Sequence, residues 1–220
     1  MSDLPPPVIR RIYELVGEAT TAWNQVETLW YLIFTGLMDR TERAKVDAIF
    51  SMFQTGALQR QLIMTVAPIA LKFEVSELRR RNPEHHVRRR MLREIGRLNA
   101  KTNDLAGHRN ATVHTAFEDW GAAGIHAIGI HRRSRIADQP DKLRYLSELV
   151  EDITLLVYEL DELRYLMIDW LRTPQEREDK KVGDASMRTL GILLPEDDLR
   201  MAKAALLAIV SQRKSPPPSS

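Results

Sequence analysis

Histidine is the side chain best suited to acid and base catalysis near neutral pH, and this chain of 220 residues has six. They are His85, His86, His108, His114, His126 and His131. There is no cysteine, which excludes a disulfide framework, a thiolate nucleophile and a cysteine-ligated zinc site. Neighbouring residues such as His85 and His86 point about 100° apart on a helix, so they cannot chelate one ion as a pair. We therefore expect no metal ion and no cofactor.

His114 follows an arginine and an asparagine at a spacing that is known from one superfamily. The segment from Leu105 to His114 reads LAGHRNATVH, and it contains Arg109, Asn110 and His114. These three residues resemble the signature of the HEPN superfamily, in which an arginine and a polar residue are followed a few positions later by a histidine. The resemblance extends in outline over the first 170 residues or so.

Two other pairs satisfy the bare spacing, Arg80 with His85 and Arg81 with His86. Arg81 is followed by Asn82, so Arg81, Asn82 and His86 match the same pattern, but this segment contains Pro83, a helix breaker, whereas 109–114 lies at the end of a predicted helix. The chain departs from the superfamily at Thr115, where related sequences often have glycine after the histidine.

The resemblance implies a homodimeric helical bundle that cleaves single-stranded RNA without a metal, as the toxin of a toxin–antitoxin or defence system. RNA and an antitoxin protein are then the expected partners. Such cleavage needs a base with a pKa near neutrality for the 2′-hydroxyl proton and a permanent cation for the phosphate, roles that suit His114 and Arg109. A second histidine must protonate the leaving oxygen. The partner's His114 can provide it, and His108 is the local alternative.

Two other interpretations remain open for the same residues. Some superfamily members have lost catalysis, so the chain can instead be a noncatalytic dimer that binds nucleic acid or protein. Alternatively, Arg109 and Asn110 only cap carbonyls at a helix end, and His114 fills a polar niche under a hairpin.

Positive charge is concentrated in one region, although the net charge of the chain is only +2. Between Arg79 and Lys101 there are nine Lys or Arg residues against two acids, whereas Glu148 to Asp179 has ten acids against three arginines. Arginines and a lysine at helical spacing predict a positive stripe that binds RNA phosphates. The candidates are Arg88, Arg89, Arg90, Arg93, Arg97 and Lys101. Attraction between the two charged regions within the molecule is the simpler interpretation.

The apolar periodicity predicts the elements that must position these residues. A first long helix follows Pro5 to Pro7, and its apolar stripe consists of Ile9, Ile12, Val16, Trp23, Val26, Trp30, Ile33 and Leu37. A second starts at Thr41 and is kinked or split by Pro68, and its stripe consists of Val46, Ile49, Phe50, Phe53, Ala57 and Leu62. A third starts near His86 and ends around 107–114, and a fourth spans about 141–171. The residues predicted to face inward are Met91, Leu92, Ile95, Leu98 and Leu105 in the third helix and Leu146, Leu149, Ile153, Leu156, Leu160, Leu163, Met167 and Trp170 in the fourth. A small hairpin is predicted at about 115–132, leaning on the helices through Phe117, Trp120, Ile128 and Ile130.

Four long helices with short connections predict a mainly α, up-and-down HEPN-like bundle with a hairpin insertion and a short C-terminal helix. The expected bundle domain covers residues 1–172, followed by a charged linker at 173–195, the helix at 196–212 and a disordered tail at 213–220. The longest apolar runs are shorter than the ~20 residues of a membrane span, so no membrane is expected. The N-terminus lacks a secretory pattern, which makes the cytoplasm the expected location.

Overall fold

A computed structural model of the chain describes residues 6–38, 41–72, 83–119, 125–129, 136 and 138–171. The chain divides into two units, Met1–Leu171 and Arg172–Ser220. The predicted linker, C-terminal helix and tail lie outside the described residues. So do Trp120, Ile130 and His131, and the side chains of His85, His126 and Ile128.

The described part of the chain is a mainly α-helical bundle, as predicted. Its helices are α1 (Pro7–Leu37), α2 (Arg43–Ser51), α3 (Gly56–Ala70), α4 (Pro83–Val113) and α5 (Lys142–Leu171). A hairpin of β1 (Thr115–Asp119) and β2 (Ile125–Gly129) lies between α4 and α5.

The apolar stripe predicted for α1 is buried along its whole length, from Ile9 to Leu37, with only Val16 half-buried. Pro7 is the first helical residue, where the missing N–H of proline costs no hydrogen bond. This stripe packs mainly on α5. The starts of the two helices share one apolar cluster, and a Cβ on Gly36 would lie 3.6 Å from Ile168. The two helices therefore run in the same direction.

The second predicted helix is divided at a different place from the one expected. The chain leaves the helix at Met52 and re-enters at Gly56, and Pro68 lies inside α3. The hydroxyl of Thr55 caps α3 by accepting from the Leu58 N–H at 3.3 Å. Because Pro68 is near the end of α3, its missing N–H removes only a terminal hydrogen bond.

The break at residues 52–55 also resets which face of the second helix is buried. Val46 and Phe50 are buried before the break, as predicted. After it, the buried residues are Arg60, Ile63 and Ala67, whereas Ala57 is exposed. The predicted stripe was therefore wrong at Ala57, whereas Leu62 is half-buried and packs against the core as predicted.

The long helices α4 and α5 enclose the rest of the core and run antiparallel to each other. Arg97 of α4 lies beside Glu159 of α5, and His108 lies beside Tyr145. The residues predicted to face inward from the two helices are buried, except that Leu92 and Trp170 are half-buried. In α4 the helix begins at Pro83, three residues before the expected start.

The hairpin is antiparallel and pairs Thr115 with Gly129 and Asp119 with Ile125. It closes a second, smaller apolar cluster with the first turns of α1 and α5. Phe117 is 4% exposed in this cluster and meets Tyr13 edge-on, which confirms the predicted role of Phe117. The strand that directly follows His114 is thus fixed to the bundle.

Candidate functional site

The buried stripe of α4 turns polar in its last turns. Positions spaced alternately by four and three residues point into the core: Met91, Ile95, Leu98, Thr102, Leu105, Arg109 and Thr112. The first members are apolar, but Arg109 occupies the same face and is half-buried. An arginine thus lies where the helix pattern calls for an apolar residue.

The guanidinium of Arg109 is only partly satisfied by hydrogen bonds. Its Nη1 donates to the side-chain oxygen of Asn110 at 3.1 Å. Its Nε is buried and has no hydrogen-bond partner among the described residues. A buried donor without a partner typically costs about 1–3 kcal/mol. The fold therefore tolerates an unfavourable cation at this position.

Asn110 and His114 are one turn apart on a neighbouring, exposed face of α4. The His114 N–H donates to the Asn110 carbonyl at 3.3 Å, so helical geometry continues up to His114. Arg109 therefore lies on the buried side of this helix end, and Asn110 and His114 lie on its exposed side. The three residues of the predicted motif come together at one helix end.

Hydroxyl groups fix the backbone around His114. Thr112 Oγ1 donates to the His108 carbonyl at 3.0 Å, and Thr115 Oγ1 donates to the Ala111 carbonyl at 2.6 Å. Both threonines are buried. A glycine at position 115 could not make this bond, so the departure from the superfamily pattern has a local structural role.

His108 faces α5 rather than the exposed side of α4. Its Nδ1 lies 2.7 Å from the hydroxyl of Tyr145, and its Nε2 lies 3.9 Å from Asp104. Six residues of helix separate it from His114, which corresponds to about 120° around the axis and roughly 9 Å along it. Within one protomer the two histidines therefore lie on different faces.

Part of the predicted basic stripe is occupied by contacts within the molecule. Arg97 bonds to Glu94 and lies 3.3 Å from Glu159, and Lys101 bonds to Glu159 at 2.7 Å. The bond to Glu94, followed by the charge of Glu159, raises the pKa of Arg97 despite its partial burial. Arg97 and Lys101 thus link α4 to α5. This is the attraction between the basic and acidic regions that the simpler interpretation of the charge distribution predicts.

The other basic residues divide into two groups. Arg88 donates to the Lys72 carbonyl at 3.0 Å and lies over the ring of Trp170, so it joins the ends of three helices. Arg89, Arg90 and Arg93 are exposed and make no ion pair or hydrogen bond among the described residues. These three remain available to an external anion.

Several contacts near the motif were not predicted. The contact of Asp104 with His108 could have been predicted from the sequence, because residues four apart on a helix are neighbours. No spacing rule identifies Tyr145, which comes from another helix. Arg60 also appears unexpectedly in the core, where it donates to Asn99 at 3.3 Å and Asn103 at 2.6 Å. Burial lowers the pKa of Arg60, so this cluster joins α3 to α4 at an electrostatic cost.

Among the residues that the structure describes, no three His, Asp or Glu side chains are grouped to hold a metal ion. In the same part of the chain, no helix is both long enough and apolar enough to cross a membrane. A scan against protein-family models, a search of curated proteins and a search of solved structures each found no match. The HEPN assignment therefore stays a prediction from the motif and its surroundings.

Proposed function

We propose that the chain is a metal-independent endoribonuclease of the HEPN type, which cleaves single-stranded RNA as a homodimer. The observation that carries the proposal is the half-buried Arg109, which lies at a core position and leads through Asn110 to the exposed His114. Residues that break a local packing rule at a cost in stability are typical of functional sites.

The proposed chemistry divides the reaction between a base, a cation and an acid. His114 removes the proton from the 2′-hydroxyl, and the oxygen then attacks the adjacent phosphorus. Arg109 stays positively charged and stabilises the charge that builds on the phosphate oxygens. The bond to the 5′ oxygen breaks once that oxygen receives a proton. The products are a 2′,3′-cyclic phosphate and a 5′-hydroxyl end.

The partner's His114 is the better candidate for the acid. His108 has one ring nitrogen directed at Tyr145 and the other at Asp104, and it lies about 120° around the helix from His114. A two-fold axis beside α4 would bring two exposed copies of His114 to one phosphate. Sedimentation of the full chain should then give a dimer, whereas a 25.3 kDa species alone would contradict this part of the proposal.

Activity measurements on two variants test the proposal. His114→Ala and Arg109→Ala should each lower the cleavage rate by ~10²–10⁴, because a positioned acid–base group or charge stabiliser contributes this much. Cleavage by the unaltered protein should persist in EDTA and leave 2′,3′-cyclic or 3′-phosphate ends.

His86→Ala is the matched control. His86 is exposed on the same helix, and with Arg81 and Asn82 it matches the same spacing. Helix α4 begins at Pro83, between Arg81 and His86, whereas Arg109 and Asn110 both lie inside α4. This variant should remain active. Cleavage that requires a divalent ion, or that survives the loss of His114, would contradict the proposal.

The second candidate function is a noncatalytic HEPN-like dimer that binds RNA or protein. It is favoured by the open groove lined by Arg90, Arg93, Glu94 and Arg97, which lies several turns from Arg109. Binding of RNA without any cleavage, unchanged in His114→Ala, would favour this second function.

The biological setting follows from the superfamily resemblance alone. A cytoplasmic ribonuclease toxin has to be kept inactive, and an antitoxin protein that covers the exposed His114 is the corresponding partner. Copurification of an inhibitory protein that protects His114 from chemical modification would test this part of the proposal.

A further inference from the structure

Tyr145 occupies a fixed position opposite the last turns of α4. Asp141 caps α5 by accepting from the Arg144 N–H at 2.9 Å, and the Tyr145 N–H donates to the Asp141 carbonyl at 3.1 Å. The ring of Tyr145 packs against the apolar cluster beneath β1. The backbone and the ring of Tyr145 are therefore held in place by contacts other than the one that its hydroxyl makes with α4.

The bond from Tyr145 reaches the residue directly before Arg109. At 2.7 Å, the contact between its hydroxyl and Nδ1 of His108 is short for a bond between an oxygen and a ring nitrogen. On the other side of the ring, Asp104 lies 3.9 Å from Nε2. The direction of the bond to Tyr145 depends on the tautomer: with the proton on Nε2, on the side of Asp104, Nδ1 accepts and the phenol donates.

The contact fixes the rotation of α4 about its own axis at the level of the site. His108 and Arg109 point about 100° apart, one towards α5 and the other along the buried stripe. Holding His108 against Tyr145 therefore determines where Arg109 enters the core. It equally determines the direction of Asn110 and His114, which continue the same helical geometry.

We propose that Tyr145 is a positioning residue, which orients the Arg109–His114 site through its hydrogen bond to His108. This inference rests on the proposed ribonuclease function for its effect on rate. The structural part of the proposal is that Tyr145 is coupled to His114 through His108. This coupling can be measured without an activity assay. Tyr145 itself touches no reacting atom in this scheme.

Tyr145→Phe removes the hydroxyl and keeps the ring, so the apolar cluster stays filled. In the full-length protein, kcat should fall about 10- to 100-fold with little change in KM, since small displacements of reacting groups have effects of this size. The ¹⁵N shifts of the His108 ring, which report its tautomer, should differ between the unaltered protein and the variant. Amide hydrogen exchange at residues 111–115 should become faster.

Tyr158→Phe is the matched control, because Tyr158 is an exposed tyrosine of α5 without a hydrogen bond among the described residues. It should leave rate, tautomer and exchange unchanged. His108→Ala combined with Tyr145→Phe should be no slower than the slower single variant, because both changes remove the same contact.

The outcomes separate the two proposals. If the unaltered protein cleaves RNA and Tyr145→Phe cleaves it equally fast, the positioning role is overturned and the ribonuclease stands. If no RNA is cleaved, the ribonuclease proposal is contradicted. In that case, a changed His108 tautomer and faster amide exchange at residues 111–115 in Tyr145→Phe still support the coupling. Unchanged spectra and exchange in Tyr145→Phe overturn the positioning role in either case.

Discussion

Replacing Arg109 by methionine should make the protein more stable while it removes activity. Arg109 lies on the buried stripe of α4, and its Nε is buried without a partner among the described residues. Methionine is unbranched, forms helices about as well as arginine and fills a similar volume without a polar atom. The substitution therefore tests whether Arg109 is kept for function or for packing.

The expected gain follows from two opposing contributions. Removing a buried donor without a partner should recover about 1–3 kcal/mol of desolvation. The bond from Nη1 to Asn110 is exposed, and losing it should cost about 0.5–1 kcal/mol. The net change is a stabilisation of about 1 kcal/mol, which corresponds to a rise in Tm of about 2–4 °C for a domain of this size.

Urea unfolding followed by far-UV circular dichroism measures this change. The midpoint should move to a higher urea concentration, and the dependence of the free energy of unfolding on urea should keep its slope. All measurements use one protein concentration, because the stability of the proposed dimer would depend on concentration. Arg93→Met is the control, because Arg93 is exposed on α4 without a partner among the described residues. It should change the free energy of unfolding by less than about 0.5 kcal/mol. A loss of more than about 1 kcal/mol in Arg109→Met would refute the reasoning and make Arg109 a structural residue.

Two further predictions concern the end of α4 and its basic face. Thr115→Val should lower the free energy of unfolding by about 1 kcal/mol, because it removes the bond to the Ala111 carbonyl, whereas Thr21→Val at an exposed threonine with a similar bond should change it little. Equal losses in thermal unfolding would show that the bond at Thr115 is not special. Replacing Arg89, Arg90 and Arg93 together by glutamine should weaken binding to all RNA sequences. It should also reduce the slope of log affinity against log salt by about two, since each phosphate contact to a single strand contributes ~0.7. Replacing Arg97 and Lys101, which already contact Glu159, should change this slope by much less than the ~1.4 expected for two phosphate contacts. A change of about 1.4 would mean that RNA displaces those ion pairs.

Sequence periodicity was sufficient for the parts of the fold that repeat over many turns. The stripe of α1 from Ile9 to Leu37 was predicted correctly because eight turns of consistent spacing leave little freedom. The hairpin followed from the change to short apolar runs around glycines after α4.

The short break between α2 and α3 was harder to predict because the competing signals are single residues. Pro68 is the strongest helix breaker in that region, yet its position near the end of α3 makes it tolerable. The actual break depends on the capping hydroxyl of Thr55 and on Gly56, a poor helix former. A Cβ on Gly56 would lie 3.0 Å from the guanidinium of Arg60, one turn along the same helix, and 3.8 Å from the carboxylate of Glu27 in α1. The position of Glu27 is a tertiary constraint that no local pattern reveals.

The motif residues could be found in the sequence, although Arg81, Asn82 and His86 match the same spacing, but their surroundings could not be predicted. Arg109, Asn110 and His114 lie together because they are close along one helix. The contact of His108 with Tyr145 joins residues 37 positions apart, so it depends on how α4 and α5 align. The same is true of Lys101 and Glu159, whose pairing removes part of the predicted RNA-binding stripe.

The unpredicted break at residues 52–55 is also what leaves the candidate site open. Helix α3 runs antiparallel to α4, since Arg60 contacts Asn103 and Met64 lies against Gly96 further back along α4. Each residue advances a helix by about 1.5 Å, so the start of α3 at Gly56 lies opposite a point about one turn beyond Asn103. A helix continued backwards from Gly56 in the same direction would pass over the face of α4 that carries Asn110 and His114. Because the chain instead leaves the helix at Met52, that face is exposed, and RNA or a second protomer can reach it.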